Sequence, residues 1–476
     1  MNMLANNMLA NNKKYKEFLG RIYFFILLIL ISPSFSENSQ SSDKPLILVG
    51  GTIINPETEF ILKNSVVVIR NEKIIKISKK GEFNLPPDID VIECSGKYII
   101  PGLIDMHIHI EFWSLKYLIS YGVTTVRDCG NIIRVMKYFV EKIEKGEFVG
   151  PRIFWGNRPL ESVVKESEKE NPWKIRGPEH AAELSKELIS QGVHHIKVYN
   201  RIKYEDLKAI VEVAKQHNIP VIGHVRDVGA IKAAELGVRS IEHGIGIPEV
   251  CLKSPLDLPD DYDDDDLFQR FRYWQFVIWK NIDDDKAEDV MKILIDNDVF
   301  VVSTLISDNV RKPFERKKEL EFIWDRLPKM FRRFSLDPGF NTDEWNQEDC
   351  NNFALSFERE KRWFNDFFKK GGKIAAGTDS PVPFTIPGYS LHEEMQLLCS
   401  TGLTPMEVLK IATSNASELL GIPEQIGSIK EGEFADLVIL NENPLDDIKN
   451  TLKIYRVIKS GQIYDPEKVR FGKGRR

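Results

Sequence analysis

Six residues of this 476-residue sequence have the types and spacing of a metal-binding set. Imidazole nitrogen and carboxylate oxygen are ligands that zinc and similar divalent ions accept, and an ion can activate water for hydrolysis. Side chains two positions apart on a strand point to the same side, so a His-x-His pair can hold a single ion. Each of the six lies at the end of a short apolar run: His107, His109, Lys197, His224, His243 and Asp379.

Each of these residues, taken alone, has an ordinary structural alternative. A strand histidine such as His224 is more often a hydrogen-bonded core residue than a ligand, and Asp379 could form an Asx-turn within GTDSP. Lys197 could hydrogen-bond to strand carbonyls beside a single ion. The joint pattern favours the metal site, because five other histidines fall outside the strand ends: His180, His194, His195, His217 and His392.

The residues are spaced by a regular alternation of strands and helices between residues 101 and 422. Alternating strands and helices predict a parallel sheet, and eight units in this length fit an α/β fold of the (β/α)8 TIM-barrel type. The chemistry of such barrels lies at the carboxyl ends of the strands, where the six residues fall. The eight strand-like runs are GLIDMHIHI, GVTTVRDCG, PRIFWGN, VHHIKVYN, IPVIGHV, VRSIEHG, VFVVSTL and KIAAGTDS.

Two further features of the domain organisation follow from the same pattern. The barrel segment is longer than eight units require, and we expect its excess, about 248–298 and 307–355, to form lid insertions over the barrel mouth. Short β-branched runs punctuated by Gly, Asn and Pro occur in 44–100 and again in 423–466. This pattern predicts a small β-sandwich built from both ends of the chain.

Residues 1–36 have the composition of a signal peptide. Four basic residues precede the apolar run IYFFILLILI, and the small residues of SPSFS follow it. We expect cleavage near Ser36 and a periplasmic or secreted protein; without cleavage the segment would anchor the chain in a membrane. No second apolar run approaches the length of a transmembrane helix, so no membrane span is expected after cleavage.

The overall composition excludes several other classes of protein. With 42% hydrophobic and 29% charged residues, the chain is globular. Lys and Arg number 65 against 71 Asp and Glu, without a basic stripe, so nucleic acid is not an expected partner. The five cysteines are scattered and form no C-x-x-C pair, which argues against a cysteine zinc ribbon or a disulfide framework.

Several of these motifs together resemble those of the amidohydrolase superfamily. They are PGLIDMHIH, IKVY, GHV, SIEHG and AAGTDS, followed by GSIKEGEFADLVILNENPL. The likeness extends from Lys44 to about Tyr464 and is specifically to the imidazolonepropionase-like metal-dependent hydrolases, relatives of the Xaa-Pro dipeptidases and carboxypeptidases. It implies two divalent ions, expected to be zinc. His107, His109 and Asp379 would hold the more buried ion, His224 and His243 the more exposed one, and Lys197 would bridge both as a carbamate.

The resemblance also implies hydrolysis of an amide, peptide or cyclic amide C–N bond by a hydroxide that bridges the two ions. Asp379 would act as the base and then as the acid, and the expected substrate is a small molecule or short peptide. One alternative is a mononuclear deaminase, although Lys197 is present and no Glu lies three residues after His224. A catalytically silent barrel that only binds is another, but all six ligands are retained. A homo-oligomer is compatible with either.

Four more residues are candidate substrate contacts. Tyr199 shares the face of Lys197 and could donate to the substrate carbonyl, or it could be a rim aromatic. Dipeptide-cleaving relatives carry tyrosine where this chain has Arg226, which could instead clamp a carboxylate. His392 lies on the helix after the eighth run and is a candidate for supporting the ligands or lining the pocket, or it could be an ordinary helix position. Arg127 could pair with Asp128 or bind substrate.

Overall fold

The structure is a computed structural model, and it describes residues 44–82, 89–165, 171–260, 277–308, 313–336 and 346–472, with isolated positions at 168, 262, 263, 269 and 273. The predicted signal peptide at 1–36 lies outside the described residues. Among the described helices, none combines the length and the apolar character that a membrane crossing requires.

Eighteen strands are present in the described residues. They are β1 (Leu46–Asn55), β2 (Phe60–Arg70), β3 (Lys73–Lys79), β4 (Asp90–Glu93), β5 (Tyr98–Pro101), β6 (Leu103–Ile108), β7 (Val123–Asp128), β8 (Arg152–Trp155), β9 (Glu161–Ser162), β10 (Lys174–Ile175), β11 (Ile196–Val198), β12 (Val221–Gly223), β13 (Ser240–Glu242), β14 (Phe300–Ser303), β15 (Lys373–Ala376), β16 (Leu437–Leu440), β17 (Ile454–Lys459) and β18 (Gln462–Tyr464).

The described helices lie mostly between the strands of the middle segment. They are α1 (Ser114–Ser120), α2 (Ile133–Glu144), α3 (Pro178–Ser190), α4 (Tyr204–Gln216), α5 (Ala230–Leu236), α6 (Ile247–Cys251), α7 (Asp284–Asp296), α8 (Leu305–Asp308), α9 (Pro313–Glu319), α10 (Glu321–Trp324), α11 (Lys329–Ser335), α12 (Gln347–Lys369), α13 (Tyr389–Ser400), α14 (Pro405–Ile411), α15 (Ser414–Leu419) and α16 (Pro466–Phe471).

The eight predicted strand runs all contain strands, and those strands pair in parallel. β6, β7 and β8 form one sheet, and β11 to β15 form a second in sequential order. Isolated parallel bridges join Ile108 to Ser380 and Leu160 to Val198, which link the outer strands of the two sheets. The strands are almost wholly buried, as expected for parallel strands covered by helices. The fold is therefore TIM-barrel-like, of the α/β class.

The two ends of the chain meet in one mixed sheet with the order β18-β17-β16-β5-β1-β2-β3, and β4 pairs with β1. β16, from the far end, pairs antiparallel with β5, which directly precedes the first barrel strand. Buried side chains of both ends, including Leu48, Ile99 and Leu437, form a small core of their own. The two ends of the chain pair as predicted. Their strands belong to one sheet, and its division into a two-layer sandwich stays a prediction.

The predicted lid insertions, about 248–298 and 307–355, include α7 and the start of α12, which both pack on the main core. Within 248–298, α7 buries Val290, Met291 and Leu294 against the core cluster next to the barrel strands. The second segment overlaps the start of α12, whose later turns bury Trp363 and Phe367 in the same cluster. Helices that cover a barrel and helices that cover its mouth have the same amphipathic period, so the sequence did not separate them.

The helices between β14 and α12 pack on a separate apolar cluster. Leu320, Trp324 and Phe331 bury their side chains against Tyr117 of α1 and Phe384, which follows β15. Phe384 lies only five residues after Asp379, so this cluster includes the chain segment that carries the predicted ligand. This part of the predicted second insertion therefore lies near the carboxyl ends of the strands.

Candidate metal centre

All six predicted ligands lie at the carboxyl ends of the parallel strands. His107 and Lys197 are within β6 and β11, and His109 follows β6. The others come just after their strands: His224 after β12, His243 after β13 and Asp379 after β15. Parallel strands present their carboxyl ends at one edge, so residues far apart in sequence meet there.

Their side chains form one compact cluster. His107, His224 and His243 each offer a ligand atom within 4.8 Å of the others, and so do His107, His109 and Asp379. The His109 Nε2 atom is 3.0 Å from Asp379 Oδ1, and the His107 Nε2 atom is 3.6 Å from the same oxygen. The imidazole rings of His107 and His243 have centroids 4.4 Å apart. The arrangement provides two overlapping three-residue sets that could each hold an ion.

Two buried residues of the cluster have polar atoms without a hydrogen-bond partner in the described part of the chain. They are Lys197, through Nζ, and His224, through both ring nitrogens. Buried polar atoms are nearly always satisfied, so such atoms indicate a missing ligand or ion. Burial also lowers the pKa of the Lys197 amine. The residues present therefore fit a divalent metal site, and Lys197 fits the neutral amine that a carbamate requires.

The carboxylate of the cluster is held in its charged form. Burial alone would raise the pKa of Asp379, but the hydrogen bond with His109 and the neighbouring imidazoles keep that pKa below its usual range. The same hydrogen bond raises the pKa of His109 against the opposing effect of burial. An ionised carboxylate is what a metal ligand and a general base both require.

Two predicted ligands receive their ring orientation from neighbours that the sequence did not identify as functional. The His107 Nδ1 atom lies 2.6 Å from Glu242 Oε2, and the His243 Nδ1 atom is hydrogen-bonded to Thr304 Oγ1. Such contacts to one ring nitrogen fix the tautomer and aim the other nitrogen at the ion. The segment SIEHG contained a signal for Glu242, because a carboxylate there lies in a fully buried strand directly before a predicted ligand.

Glu242 also explains Arg127, for which the sequence left two partners open. The Arg127 guanidinium donates to Glu242 at 2.8 Å and to the Met106 carbonyl at 2.7 Å. Asp128 instead accepts from the Ile110 amide at 2.8 Å. Arg127 is therefore a buried partner of Glu242 rather than of Asp128, and its guanidinium holds the pKa of Glu242 low against the effect of burial.

The backbone at the site is strained in two places. His243 and Asp379 have φ values of 59° and 55°, in the left-handed region that non-glycine residues rarely adopt. Such residues cluster at functional sites because the surrounding structure must hold them there. Gly377 allows the close approach that positions Asp379, since a Cβ there would lie 2.7 Å from the Cβ of His107. The Asp379 amide donates to the His107 carbonyl at 2.7 Å.

The resemblance implies that His107, His109 and Asp379 hold the more buried ion, but the exposed fractions of the ligand side chains have the opposite order. The side chains of His109 and Asp379 are 37% and 20% exposed, whereas His224 and His243 are buried. His109 and Asp379 lie on the loops after β6 and β15, above the strand ends. In this structure the set with His224 and His243 is the more buried one.

Tyr199 and Arg226 lie beside the cluster. The ring centroids of Tyr199 and His224 are 4.4 Å apart. The two residues follow the neighbouring strands β11 and β12. The Arg226 Nε atom donates to Asp227 at 2.9 Å, and its side chain is 8% exposed. The predicted substrate contacts of both residues stay predictions.

His392, in contrast, has its ring nitrogens engaged elsewhere. It is fully buried in α13, and it is hydrogen-bonded through Nδ1 to Thr451 Oγ1 at 2.9 Å and through Nε2 to the Tyr121 carbonyl at 2.8 Å. These bonds hold α13 against the segment just before β17 and against the end of α1. The predicted pocket role is therefore replaced by a structural one, because no ring nitrogen is left for a substrate.

Replacing His392 by alanine should lower the free energy of unfolding by about 1–3 kcal/mol, because it leaves buried hydrogen-bonding groups unpaired. The KM for any substrate should stay unchanged. Urea unfolding and steady-state kinetics of His392→Ala measure both quantities. A KM that rises severalfold at unchanged stability would restore the pocket role.

The sequence profile of the amidohydrolase family matches residues 98–263 and 346–464, which include all six predicted ligands. Adenine deaminase 4 of Rhizobium meliloti (strain 1021) is 20% identical over 426 residues, which cover 84% of this chain and 54% of that protein. Ochratoxinase of Aspergillus niger is 38% identical over 101 residues, 20% of either chain. These alignments span about half or less of the relatives' own length.

Solved structures share the fold over a larger part of the chain. The A. niger ochratoxinase structure has a TM-score of 0.62 at 20% identity and covers 89% of this chain and 96% of its own. A Xaa-Pro dipeptidase with bound methionine in its active site has a TM-score of 0.64 at 21% identity, covering 89% of this chain and all of its own. At these identities the likeness supports the fold.

Proposed function

The chain belongs to the amidohydrolase family, and we propose that it is a metal-dependent hydrolase that cleaves a C–N bond of an amide, short peptide or cyclic amide. The proposal rests on the cluster at the strand ends, in which four histidines and Asp379 bring their ligand atoms together and the amine of Lys197 is buried without a hydrogen-bond partner among the described residues. A lysine beside two cations is tolerated only when it is neutral or has become an anion. Carbamate formation with carbon dioxide would supply that anion.

The residues have different roles in the proposed reaction. His107, His109, His224, His243, Asp379 and carboxylated Lys197 would hold two divalent ions, which we expect to be zinc. Such ions supply Lewis acidity, which lowers the pKa of a water molecule and polarises a carbonyl oxygen. Asp379, kept ionised by its histidine neighbours, accepts the proton of the attacking water and delivers it to the departing nitrogen. Tyr199, beside His224, donates its hydroxyl to the carbonyl oxygen of the substrate.

The test is the release of amine from a panel of dipeptides, N-acyl amino acids and lactams by the zinc-loaded protein. We expect at least one class to be hydrolysed, and Asp379→Asn to reduce that rate by about a hundredfold or more, because the amide cannot take a proton. Asp296→Asn, an exposed carboxylate on α7, is the matched control and should retain full activity. Silence of the loaded protein over the whole panel would overturn the proposal.

A deaminase is the second candidate, because the adenine deaminase relative aligns over most of this chain. Deamination of a ring amidine releases ammonia and leaves the ring intact, whereas amide hydrolysis releases a primary or secondary amine. An ammonia assay on adenine and related bases therefore separates the two. Lys197 argues for the hydrolase, since a mononuclear deaminase needs no bridging anion.

Arg226 is proposed to clamp the carboxylate of the substrate. Its guanidinium is mostly buried, two residues after His224, and its planar fork of N–H donors matches the geometry of a carboxylate. Arg226→Lys keeps the charge but loses the planar fork, so it should raise the KM for a carboxylate-bearing substrate about tenfold and leave kcat nearly unchanged. The same substrate with its carboxylate amidated is the control, because its KM should not respond. An equal rise for both would contradict the clamp.

The exported location is likewise a proposal, which rests on the composition of residues 1–36. Sequencing the amino terminus of the protein recovered from its native cell tests it. A mature chain that begins near Ser36 is the expected result, and an intact leader in a membrane fraction would favour an anchor.

A further inference from the structure

We propose that this protein has a second binding site, at the opposite end of the barrel-like strands from the metal centre, for a small carboxylate with an apolar body. A cleft of about 600 Å³ lies there. Its lining includes His195 just before β11, Pro220 just before β12 and Arg239 just before β13. The metal-binding cluster follows the same strands, so the two sites open at opposite ends.

The inner part of the cleft contains a buried histidine without a partner. His195 is 2% exposed, and neither its Nδ1 nor its Nε2 atom has a hydrogen-bond partner among the described residues. An imidazole offers a donor or an acceptor at each nitrogen, and buried groups of this kind are normally satisfied by protein, water or ligand. A cleft of this size is far larger than one water molecule needs. A carboxylate oxygen that reaches His195 would accept a hydrogen bond from the ring N–H.

The charges around the cleft favour an anion. Among the described lining residues, Arg127, Lys215 and Arg239 are cationic, and Glu418 is the carboxylate. Glu418 is neutralised by Lys373, whose Nζ lies 2.6 Å from its Oε1. Arg127 is paired with Glu242 and Arg239 with Asp298, so the attraction comes mainly from Lys215.

Lys215 and the ion-paired Arg239 both keep hydrogen-bond donors for a ligand. Lys215 donates to the Leu236 carbonyl at 2.7 Å, and its ammonium has three donors. Arg239 uses Nη1 for the carbonyl and the carboxylate of Asp298, and its guanidinium carries five donors. A carboxylate in the cleft can therefore be bound without breaking these contacts.

The remaining wall of the cleft is apolar, which excludes a small inorganic anion as the best occupant. Phe154, Val193, Val211, Ile219 and Leu419 contribute it. Small-molecule sites in proteins have volumes of this order and combine apolar walls with a few polar groups. The chemistry thus fits a monocarboxylate whose body is about the size of a phenyl ring or a short alkyl chain.

The test is calorimetric titration of the full, metal-loaded protein with phenylacetate, and separately with neutral phenylacetamide. We expect saturable binding of phenylacetate, about tenfold weaker binding of phenylacetamide, and a loss of about tenfold in affinity for phenylacetate in Lys215→Gln. Lys208→Gln, an exposed lysine on the same helix α4 that does not line the cleft, is the matched control. His195→Leu should weaken the binding of phenylacetate as well, and Lys215→Gln keeps the test decisive if His195→Leu fails to fold.

A carboxylate could instead bind at the metal centre, and Asp379→Asn separates the two sites. Binding that persists in Asp379→Asn and weakens in Lys215→Gln supports the cleft. Binding that disappears in Asp379→Asn and is unchanged in Lys215→Gln and His195→Leu overturns it. Failure of phenylacetate, benzoate and hexanoate to bind the wild-type protein at all would overturn it as well.

Discussion

Replacement of Lys197 by methionine is expected to lower amide hydrolysis by about a thousandfold and to reduce the bound metal from two ions per chain to one. Methionine fills nearly the same volume and suits the buried position, which is 1% exposed, so the fold should survive. It offers no anion to bridge two cations. The histidines of the cluster remain, and they retain one ion.

Three measurements on Lys197→Met give separate readouts. Elemental analysis of the dialysed protein counts the metal, and amine release measures the reaction. The wild-type protein equilibrated with ¹³C-bicarbonate should show a carbamate carbon signal that the variant lacks. Lys208→Met, on the exposed face of α4, is the matched control and should behave like the wild type. Two ions and full activity in Lys197→Met would leave Lys197 with only a structural role.

The strands and the placement of the six candidate ligands at the strand ends could be predicted because both depend on local sequence. β-Branched runs such as those of β7 and β14 bury on both faces, which gives a recognisable apolar segment in a parallel sheet. The strand ends then place His107 and His243 at one edge without any knowledge of their contacts. The sequence could not separate the helices that cover the barrel from the insertions, because α7 and the segment before it are both amphipathic or polar stretches.

What the sequence could not supply was the partner of each buried polar group. Arg127 bonds to Glu242, 115 positions away, because β7 and β13 face each other across the interior. His392 bonds to Tyr121 and Thr451, which depends on how α13 packs. The relative exposure of His109 and His224 likewise depends on where each loop leaves its strand. Such facts follow from register and packing, which one sequence does not show.

Glu242→Gln should lower the free energy of unfolding by about 3–5 kcal/mol, because it leaves the guanidinium of Arg127 buried without a countercharge. Both side chains are almost completely buried and 2.8 Å apart. The affinity for metal should also fall, by about 10–100-fold, because His107 loses the carboxylate that orients its ring. Denaturant unfolding and competitive metal titration measure the two effects. Glu212→Gln, exposed on α4, is the matched control.

The double variant Arg127→Met, Glu242→Gln distinguishes the two roles of Glu242. Removing the cation as well as its partner eliminates the unpaired buried charge, so part of the lost stability should return. Metal affinity should stay reduced, because the neutral amide at position 242 remains the weaker acceptor for His107 Nδ1. If metal affinity returned together with stability, Glu242 would act on the metal centre only through the fold. If neither returned, the Arg127 pair would not be the source of the instability, and the contact with His107 would account for both losses.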